Sequence, residues 1–415
     1  MKKSYDVIIV GGGSAGLAAA ISAYDNGIKD ILILEKGDFL GGILLQCIHS
    51  GFGLQTFKEE LTGPAYAERF IKQVKDRGIN YKLQSMVLKI ENDNGKLFVT
   101  YSNASDGYLR VETKSIIMAA GCIERTRGAI NTPGDRPSGV MCAGVAQKYL
   151  NVDGLKIGNN VFILGSGDIG LIMARRMKLE GANVIGVAEI MPYSNGLNRN
   201  IVQCLNDYDI PLYLHHTVKD IIGKDRLEKI ILCEVDDKLQ FVPGTDREIE
   251  CDTLLLSVGL IPSINLLTEA GVKIDPLTKG AVVDSNLQTS IPGVFACGNG
   301  LHVHDLVDFV SIEGTKAGEN CAKYIKGELE DLPKIKVVNG NLIGYVLPQS
   351  INSNGASISF RVRKPLKNCY LVVKQGDKEI KRVKKLYMIP SEMENVKIDS
   401  SILTNLDNVT LEVEE

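Results

Sequence analysis

Near the start of the chain, apolar residues come in short unbroken runs rather than in alternation. Residues 7–10, Val-Ile-Ile-Val, lead into a glycine cluster, and the alanine-rich stretch 17–24 follows. Such a run closed by glycine predicts a strand buried on both faces, with a helix packed back on it. A second run, 31–34, predicts its parallel neighbour. Residues 59–78 carry Phe70 and Val74 on one face of a charged helix. Residues 81–90, 96–101 and 108–111 read as short antiparallel strands between Asn/Asp/Gly turns, and 115–121 returns as a buried strand. The cycle then repeats: helix 140–150, strand 161–164, helix 171–180, strand 183–188, helix 201–207 and strand 211–216. A small sheet follows from 218–233 and the turn at Pro243-Gly244, and 251–259 echoes 115–121 as a closing strand. Residues 281–284 and 293–299 read as strands. Helix 312–325 carries Gly314, Ala317 and Gly318, which permit close approach to a ligand or a strand. From residue 335 onward, alternation predicts a small all-β module.

Two of the glycine turns have a chemical reading. Gly11, Gly13 and Gly16 stand at GxGxxG spacing, as do Gly165, Gly167 and Gly170. In each turn the first glycine lets the backbone turn, the second lets the main chain approach a pyrophosphate, and the third lets helix pack on strand. The helix N-terminus then holds the anion. Each second strand ends in an acid, Glu35 and Glu189, placed to bind a ribose 2′-hydroxyl. A 2′-phosphate would be repelled by Glu189, so NAD(H) is expected at the second turn rather than NADP(H).

A chain of 415 residues exceeds one core, so two or three domains are expected. A net charge of −3 gives no reason to expect nucleic acid. No apolar run reaches the ~20 residues of a membrane span, and the first residues lead straight into a strand without a signal peptide. A cytoplasmic location is therefore expected. Nine scattered cysteines form no CxxC, and no Cys/His group has zinc or iron–sulfur spacing, so no metal site is expected.

Residues 1–330 resemble the two-dinucleotide flavoprotein oxidoreductases, the pyridine nucleotide–disulfide oxidoreductase superfamily. The resemblance rests on Gly11–Gly16 with Glu35, Ala119-Ala-Gly121, Gly165–Gly170 with Glu189, and residues 289–299. It implies an α/β fold with two Rossmann-like three-layer domains and a C-terminal all-β module. The FAD domain would be discontinuous, 1–121 and 260–330, with the NAD(P) domain, 122–259, inserted, and the β module would span 335–415. Implied cofactor contacts at the first site are Gly11, Gly13, Ser14, Ala15, Gly16, Glu35, Lys36, Gly42, Val87, Ala120, Gly121, Gly298 and Asn299. At the second they are Gly165, Gly167, Asp168, Ile169, Gly170, Glu189 and Gly259. Asn299 stands where the family usually has Asp. Two further departures concern thiols. Disulfide reductases carry a cysteine pair soon after the Gly-Gly, and thioredoxin reductases carry CxxC before the second turn. Here Gly41–Cys47 and Met141–Val145 hold one cysteine each.

A narrower resemblance lies in residues 41–53, Glu124–Gly128, Arg136–Gly139 and Leu301–Asp308, with Arg125 and Arg127 in the second of these. It is to the flavin/NAD subunit that accompanies anaerobic glycerol-3-phosphate dehydrogenase and opine oxidase complexes. This implies electron transfer between NADH and a partner redox subunit, a flavoprotein or iron–sulfur protein, and allows a homo-oligomer. Cys47, His49 and His304 are the candidates for the flavin edge. Cys47 reads either as a redox thiol or as a packing residue. Two alternatives stay open: a stand-alone NADH oxidase or peroxidase using Cys47, and a non-catalytic FAD-binding scaffold.

Overall fold

In the computed structural model, which describes residues 2–415, the opening apolar run becomes the strand Ser4–Val10. The chain divides into two units. One holds the residues up to Cys122 together with Pro262–Glu415; the other is Ile123–Ile261.

In the first unit, Ser4–Val10 lies between Ile31–Leu34 and Gly107–Met118, both parallel to it. Val10 is registered with Leu34 on one side and Met118 on the other. Asn80–Lys82 extends the sheet beyond Ile31–Leu34, and Val294–Ala296 pairs with the end of Gly107–Met118. Val7, Ile8 and Ile9 are fully buried, as a strand covered on both faces requires. Lys96–Asn103 and Met86–Asp93 add an antiparallel meander on the first half of Gly107–Met118.

The helices Ser14–Asp25 and Val307–Lys326 cross backbone to backbone. A Cβ on Gly314 would stand 2.3 Å from the Ala15 carbonyl oxygen, and one on Gly318 2.2 Å from that of Ala19. Gly314 and Gly318 therefore serve the approach of another helix.

Several boundaries differ from the pattern reading for local reasons. Residues 81–90 break at Gln84, which has φ +49°, so Asn80–Lys82 runs parallel while Met86–Asp93 runs antiparallel. Gly107–Met118 is one strand rather than two, because its two halves serve different neighbours. The helix expected over 59–78 is Gly63–Asp76; the Thr62 side chain caps it by accepting from Ala65 N, and a proline sits in its first turn. The helix expected from 140 starts at Ala143, because Val140–Cys142 pairs with Thr253–Leu256. The helix expected from 312 starts at Val307. Residues 281–284 make only isolated bridges.

The second unit repeats the strand order of the first. Leu212–Leu214, Asn183–Glu189, Asn160–Leu164, Thr253–Leu256 and Val140–Cys142 form one parallel sheet. His216–Gly223, Leu227–Glu234 and Arg247–Glu250 make the meander that precedes its closing strand. The C-terminal strands form a five-stranded and a three-stranded sheet around one core that includes Ile335, Phe360, Leu371 and Leu411. No helix among the described residues is long and apolar enough to cross a membrane.

The helix crossing gives a direct test. Gly314→Ala drives a methyl group into backbone that has no rotamer to give, so it should destabilise the first unit by about 1–3 kcal/mol and lower its melting temperature by a few degrees. Thr315→Ala, at the exposed neighbouring position, should shift it by less than about 0.5 kcal/mol. Equal melting temperatures for the two variants would contradict the crossing.

Candidate functional site

The first glycine turn is shaped by backbone crowding. Gly11 has φ +106°, and a Cβ there would meet the Ala119 carbonyl oxygen at 2.4 Å; one on Gly16 would meet the Gly11 carbonyl oxygen at 1.9 Å. Gly13 is different: its Cβ position is open, with Gly42 Cα the nearest atom at 4.0 Å. Gly13 is also the N-cap of Ser14–Asp25, and no side chain caps that helix. The turn thus presents uncapped N–H groups beside a space that a side chain would fill, which suits an anion. Glu35 closes it. Its carboxylate accepts from Gly12 N and Gly37 N, each at 2.7 Å. A carboxylate offers about four acceptor sites, so about two remain for ribose hydroxyls.

The second turn uses the same device. Gly165 has φ +98° and would clash with the Ser257 carbonyl oxygen, and Gly170 would clash with that of Gly165. Gly167 is the N-cap of Asp168–Leu179 and gives it no side-chain cap, while Ser257 Oγ accepts from Gly170 N at 3.0 Å. Glu189 accepts from Ser166 N at 3.0 Å and Met191 N at 3.0 Å, the counterparts of the Gly12 and Gly37 contacts. It also accepts from Ser166 Oγ at 2.6 Å, leaving about one acceptor site. Asp168 turns its carboxylate to Leu197 N and Asn200 Nδ2, so it holds the 195–200 loop.

Gly41 and Gly42 lie against the first turn. Gly41 N donates to the Gly12 carbonyl at 2.8 Å, and a Cβ on Gly42 would stand 3.1 Å from Gly13 Cα. The chain continues through the 3₁₀ turn Gly42–Gln46 to Cys47, whose thiol donates to the Ile43 carbonyl at 3.4 Å. Cys47 is buried, and burial pushes its pKa up to about 12. A group so placed is a thiol at neutral pH, not the thiolate that redox chemistry needs. His49 is half-buried and donates from Nδ1 to the Ser50 carbonyl. The loop beyond it is latched by Asp308, in the first turn of the long helix, which accepts from Gly53 N at 3.1 Å and Thr56 N at 2.7 Å.

The segment after Val294–Ala296 brings in Gly298 and Asn299. A Cβ on Gly298 would meet that of Ala15 at 2.7 Å, which places this turn beside the first helix. Asn299 accepts from His304 N through Oδ1, so its amide NH₂ remains a donor on the other side. His302 and His304 both donate from Nε2 to Glu313, at 3.0 and 3.1 Å. Burial penalises the Glu313 carboxylate, but His304 and His302 outweigh it and hold its pKa below the usual range. Burial pushes His302 down, keeping it neutral. The β module reaches this cluster: Arg361 Nε donates to the Tyr345 hydroxyl at 3.2 Å, and that hydroxyl lies 3.4 Å from His302 Nδ1. Arg361 also pairs with Asp305. The module is therefore not a plain appendage; two of its side chains complete a buried network.

At the second family thiol position, Cys142 is the N-cap of the helix Ala143–Asn151. Such a place ordinarily lowers a thiol pKa. Here the Glu124 carboxylate accepts from Gly144 N at 2.7 Å and takes the helix N-terminus, and burial together with Glu124 raises Cys142.

The structure thus gathers Gly11, Gly13, Ala15, Gly16, Glu35, Gly42, Ala120, Gly121 and Gly298 around one turn. Ser14 opens its helix, and a Cβ on Gly300 would stand 3.3 Å from Gly121 N. Lys36 is exposed, and Val87 is buried in the meander strand Met86–Asp93. Ile169 is half-buried in the first turn of its helix, and Gly259 is exposed at φ +105°. Glu313, Tyr345 and Arg361 carry no sequence signal, because their partners come from other elements. Asp308 closes the segment 301–308, but its latch on the 53–56 loop was not readable from spacing.

Two glycine turns at helix starts, each with a carboxylate held across it, fit two dinucleotides, FAD among them. These features define a two-nucleotide oxidoreductase. The chain belongs to the pyridine nucleotide-disulphide oxidoreductase family, whose sequence profile matches residues 5–320, and it is an FAD/NAD(P)-dependent oxidoreductase. It is 24% identical over 353 residues to a thioredoxin reductase of Listeria monocytogenes serovar 1/2a, covering 80% of this chain and 97% of that protein. It is 25% identical over 337 residues to the hydrogen cyanide synthase subunit HcnB of Pseudomonas protegens, covering 76% of this chain and 68% of that protein. Among solved structures it is similar to T. acidophilum thioredoxin reductase, with a TM-score of 0.65, 26% identity, and coverage of 78% of this chain and 99% of that one.

The buried Cys47 thiol gives a prediction with a definite sign. A pKa raised to about 12 leaves almost no thiolate below pH 10. Alkylation of native Cys47 by iodoacetamide, followed by peptide mass spectrometry, should be slow throughout pH 7–10, climbing with the thiolate fraction by about tenfold per pH unit without levelling off. It should become fast only on unfolding. Rapid labelling that levels off above pH 8–9 would contradict the assignment.

Proposed function

We propose that FAD occupies the turn at Gly11–Gly16 and NAD(H) the turn at Gly165–Gly170. In this reading the chain is a subunit that passes electrons between NAD(H) and a partner redox protein. The partner is a second flavoprotein or an iron–sulfur protein, as in the complexes of anaerobic glycerol-3-phosphate dehydrogenase and opine oxidase. Bound FAD supplies a two-electron acceptor for hydride. The chain does the rest. Its helix starts bind the pyrophosphates, and Glu35 and Glu189 orient the riboses. Asp308 holds the 53–56 loop beyond His49, and Asn299 keeps its amide NH₂ as a donor.

The observation that carries this reading is the state of the two thiols. Disulfide reduction needs a cysteine pair with a reactive member. At both family positions this chain has one cysteine, raised by burial. The same burial weighs against an oxidase or peroxidase built on Cys47. Electrons leaving the flavin then need an acceptor outside this chain's cysteines. The comparison with HcnB, itself named as a subunit, supports the same direction.

The test is anaerobic stopped-flow on the FAD-loaded protein. NADH should bleach the flavin rapidly, and reoxidation by oxygen or peroxide should be slow until a partner protein is added. No bleaching would leave only the scaffold reading, and fast turnover with peroxide alone would favour the Cys47 reading.

Glu189 sets the nucleotide preference in this account. Two unit charges 4 Å apart at an effective dielectric of about 20 repel by about 4 kcal/mol. Glu189→Ala should therefore raise the ratio of kcat/KM for NADPH over NADH at least tenfold, mainly through a weaker NADH interaction and relief of repulsion. An unchanged ratio would remove Glu189 from the ribose site.

A further inference from the structure

We propose that His302, His304 and Glu313 form a buried binding site for one divalent transition metal ion, zinc by the character of its donors. The site is not readable from sequence spacing, because the two histidines lie on an irregular segment and the glutamate on the following helix. Folding brings their ligand atoms within 4.8 Å of one another. Each imidazole Nε2 faces a separate oxygen of Glu313, at 3.0 and 3.1 Å, and the two rings stand 4.2 Å apart.

Three observations carry the proposal. The donor set is one that zinc takes, two imidazoles and a carboxylate, with the second carboxylate oxygen available for a fourth position. Ligand atoms about 2.0–2.1 Å from a tetrahedral zinc stand about 3.3 Å apart, so the two histidine–glutamate pairs already lie near that spacing. Only His304 must turn, and its Nδ1 has no hydrogen-bond partner to hold it back. The cluster is shut away from water, with side-chain exposures of 1%, 4% and 12% for His302, His304 and Glu313.

Glu313 also accepts from Gly298 N at 2.6 Å, which ties the cluster to the Gly298 turn.

The third observation is the support around the ligands. Metal-binding imidazoles commonly use their other nitrogen on a second group. His302 Nδ1 has Tyr345, fixed in turn by Arg361. Arg361 also donates to the Val303 carbonyl at 3.1 Å and the Pro390 carbonyl at 3.0 Å, and Asp305 accepts from Met393 N at 2.6 Å. The histidine segment is therefore held rigidly from the β module. When a metal binds, each imidazole carries its proton on Nδ1 instead of Nε2, and His302 donates to Tyr345. The ion would join the β module to the Gly298 turn. Tyr345 and Arg361 lie outside the segment that the family profile matches, residues 5–320.

The experiment uses the full FAD-loaded chain, stripped with a chelator and then titrated with Zn²⁺ against a chromogenic competitor. A parallel titration with Co²⁺ reads the ligands from its absorption. The expected result is one equivalent per chain, with cobalt d–d bands to the red of the flavin and no thiolate-to-cobalt charge transfer. His304→Gln and Glu313→Gln should each weaken binding at least tenfold, whereas Cys142→Ser should not. Absence of saturable uptake by the wild-type chain would overturn the proposal even if a variant failed to fold. A thiolate signature, or undiminished binding in both folded variants, would overturn it as well.

Discussion

A single carboxylate spanning a glycine turn is the constraint on which both candidate nucleotide sites depend. Glu35 joins the residue after the first glycine to the residue two beyond itself, and Glu189 does the same in the second unit. These bonds fix the turn at the start of each helix, with the Gly13 side open in the first and Ser257 Oγ against Gly167 and Gly170 in the second. In the proposed reading the acceptor positions these bonds leave over are the ones the ribose hydroxyls meet. The crowding at Gly11, Gly16, Gly165 and Gly170 is the other half of the constraint, because any side chain there would force the strand and helix apart.

The two units differ where their chemistry should differ. In the second, Ser166 adds a hydroxyl to the acid and accepts from Asn195 N, which ties the turn to its own loop. In the first, the turn is open on the Gly13 side and meets Gly42 and Gly298 from other parts of the chain. The long helix Val307–Lys326 organises that gathering. Its glycines seat it against the first helix, Asp308 latches the 53–56 loop, and Glu313 holds the Gly298 turn and both histidines. One helix thus connects the nucleotide turn, the candidate loop and the β module.

Much of this was legible in the sequence, and the reason is local. Strands buried on both faces read as unbroken apolar runs, and glycine turns need glycine at fixed spacing whatever surrounds them. Both acids could be found because each follows its strand directly. Where partners come from distant elements, the pattern was silent. Residues 140–142 look helical until Thr253–Leu256 pairs with them, and Gly314 and Gly318 show their purpose only once Ala15 and Ala19 lie opposite. The roles of Tyr345 and Arg361 depend on a fold that brings residue 361 to residue 305. Cys47 and His304 stood out as candidates for the flavin edge, but the burial that raises the Cys47 thiol and the Glu313 contact of His304 come from packing that spacing does not encode.

In the proposed reading, electrons cross between two nucleotides without a cysteine couple. Anaerobic reductive titration of the FAD-loaded chain with dithionite, followed at the flavin absorbance, tests it most directly. The account predicts that one two-electron equivalent per flavin completes the bleaching. Uptake of two equivalents per flavin, with new thiols appearing to a thiol reagent, would reveal a hidden disulfide and contradict it.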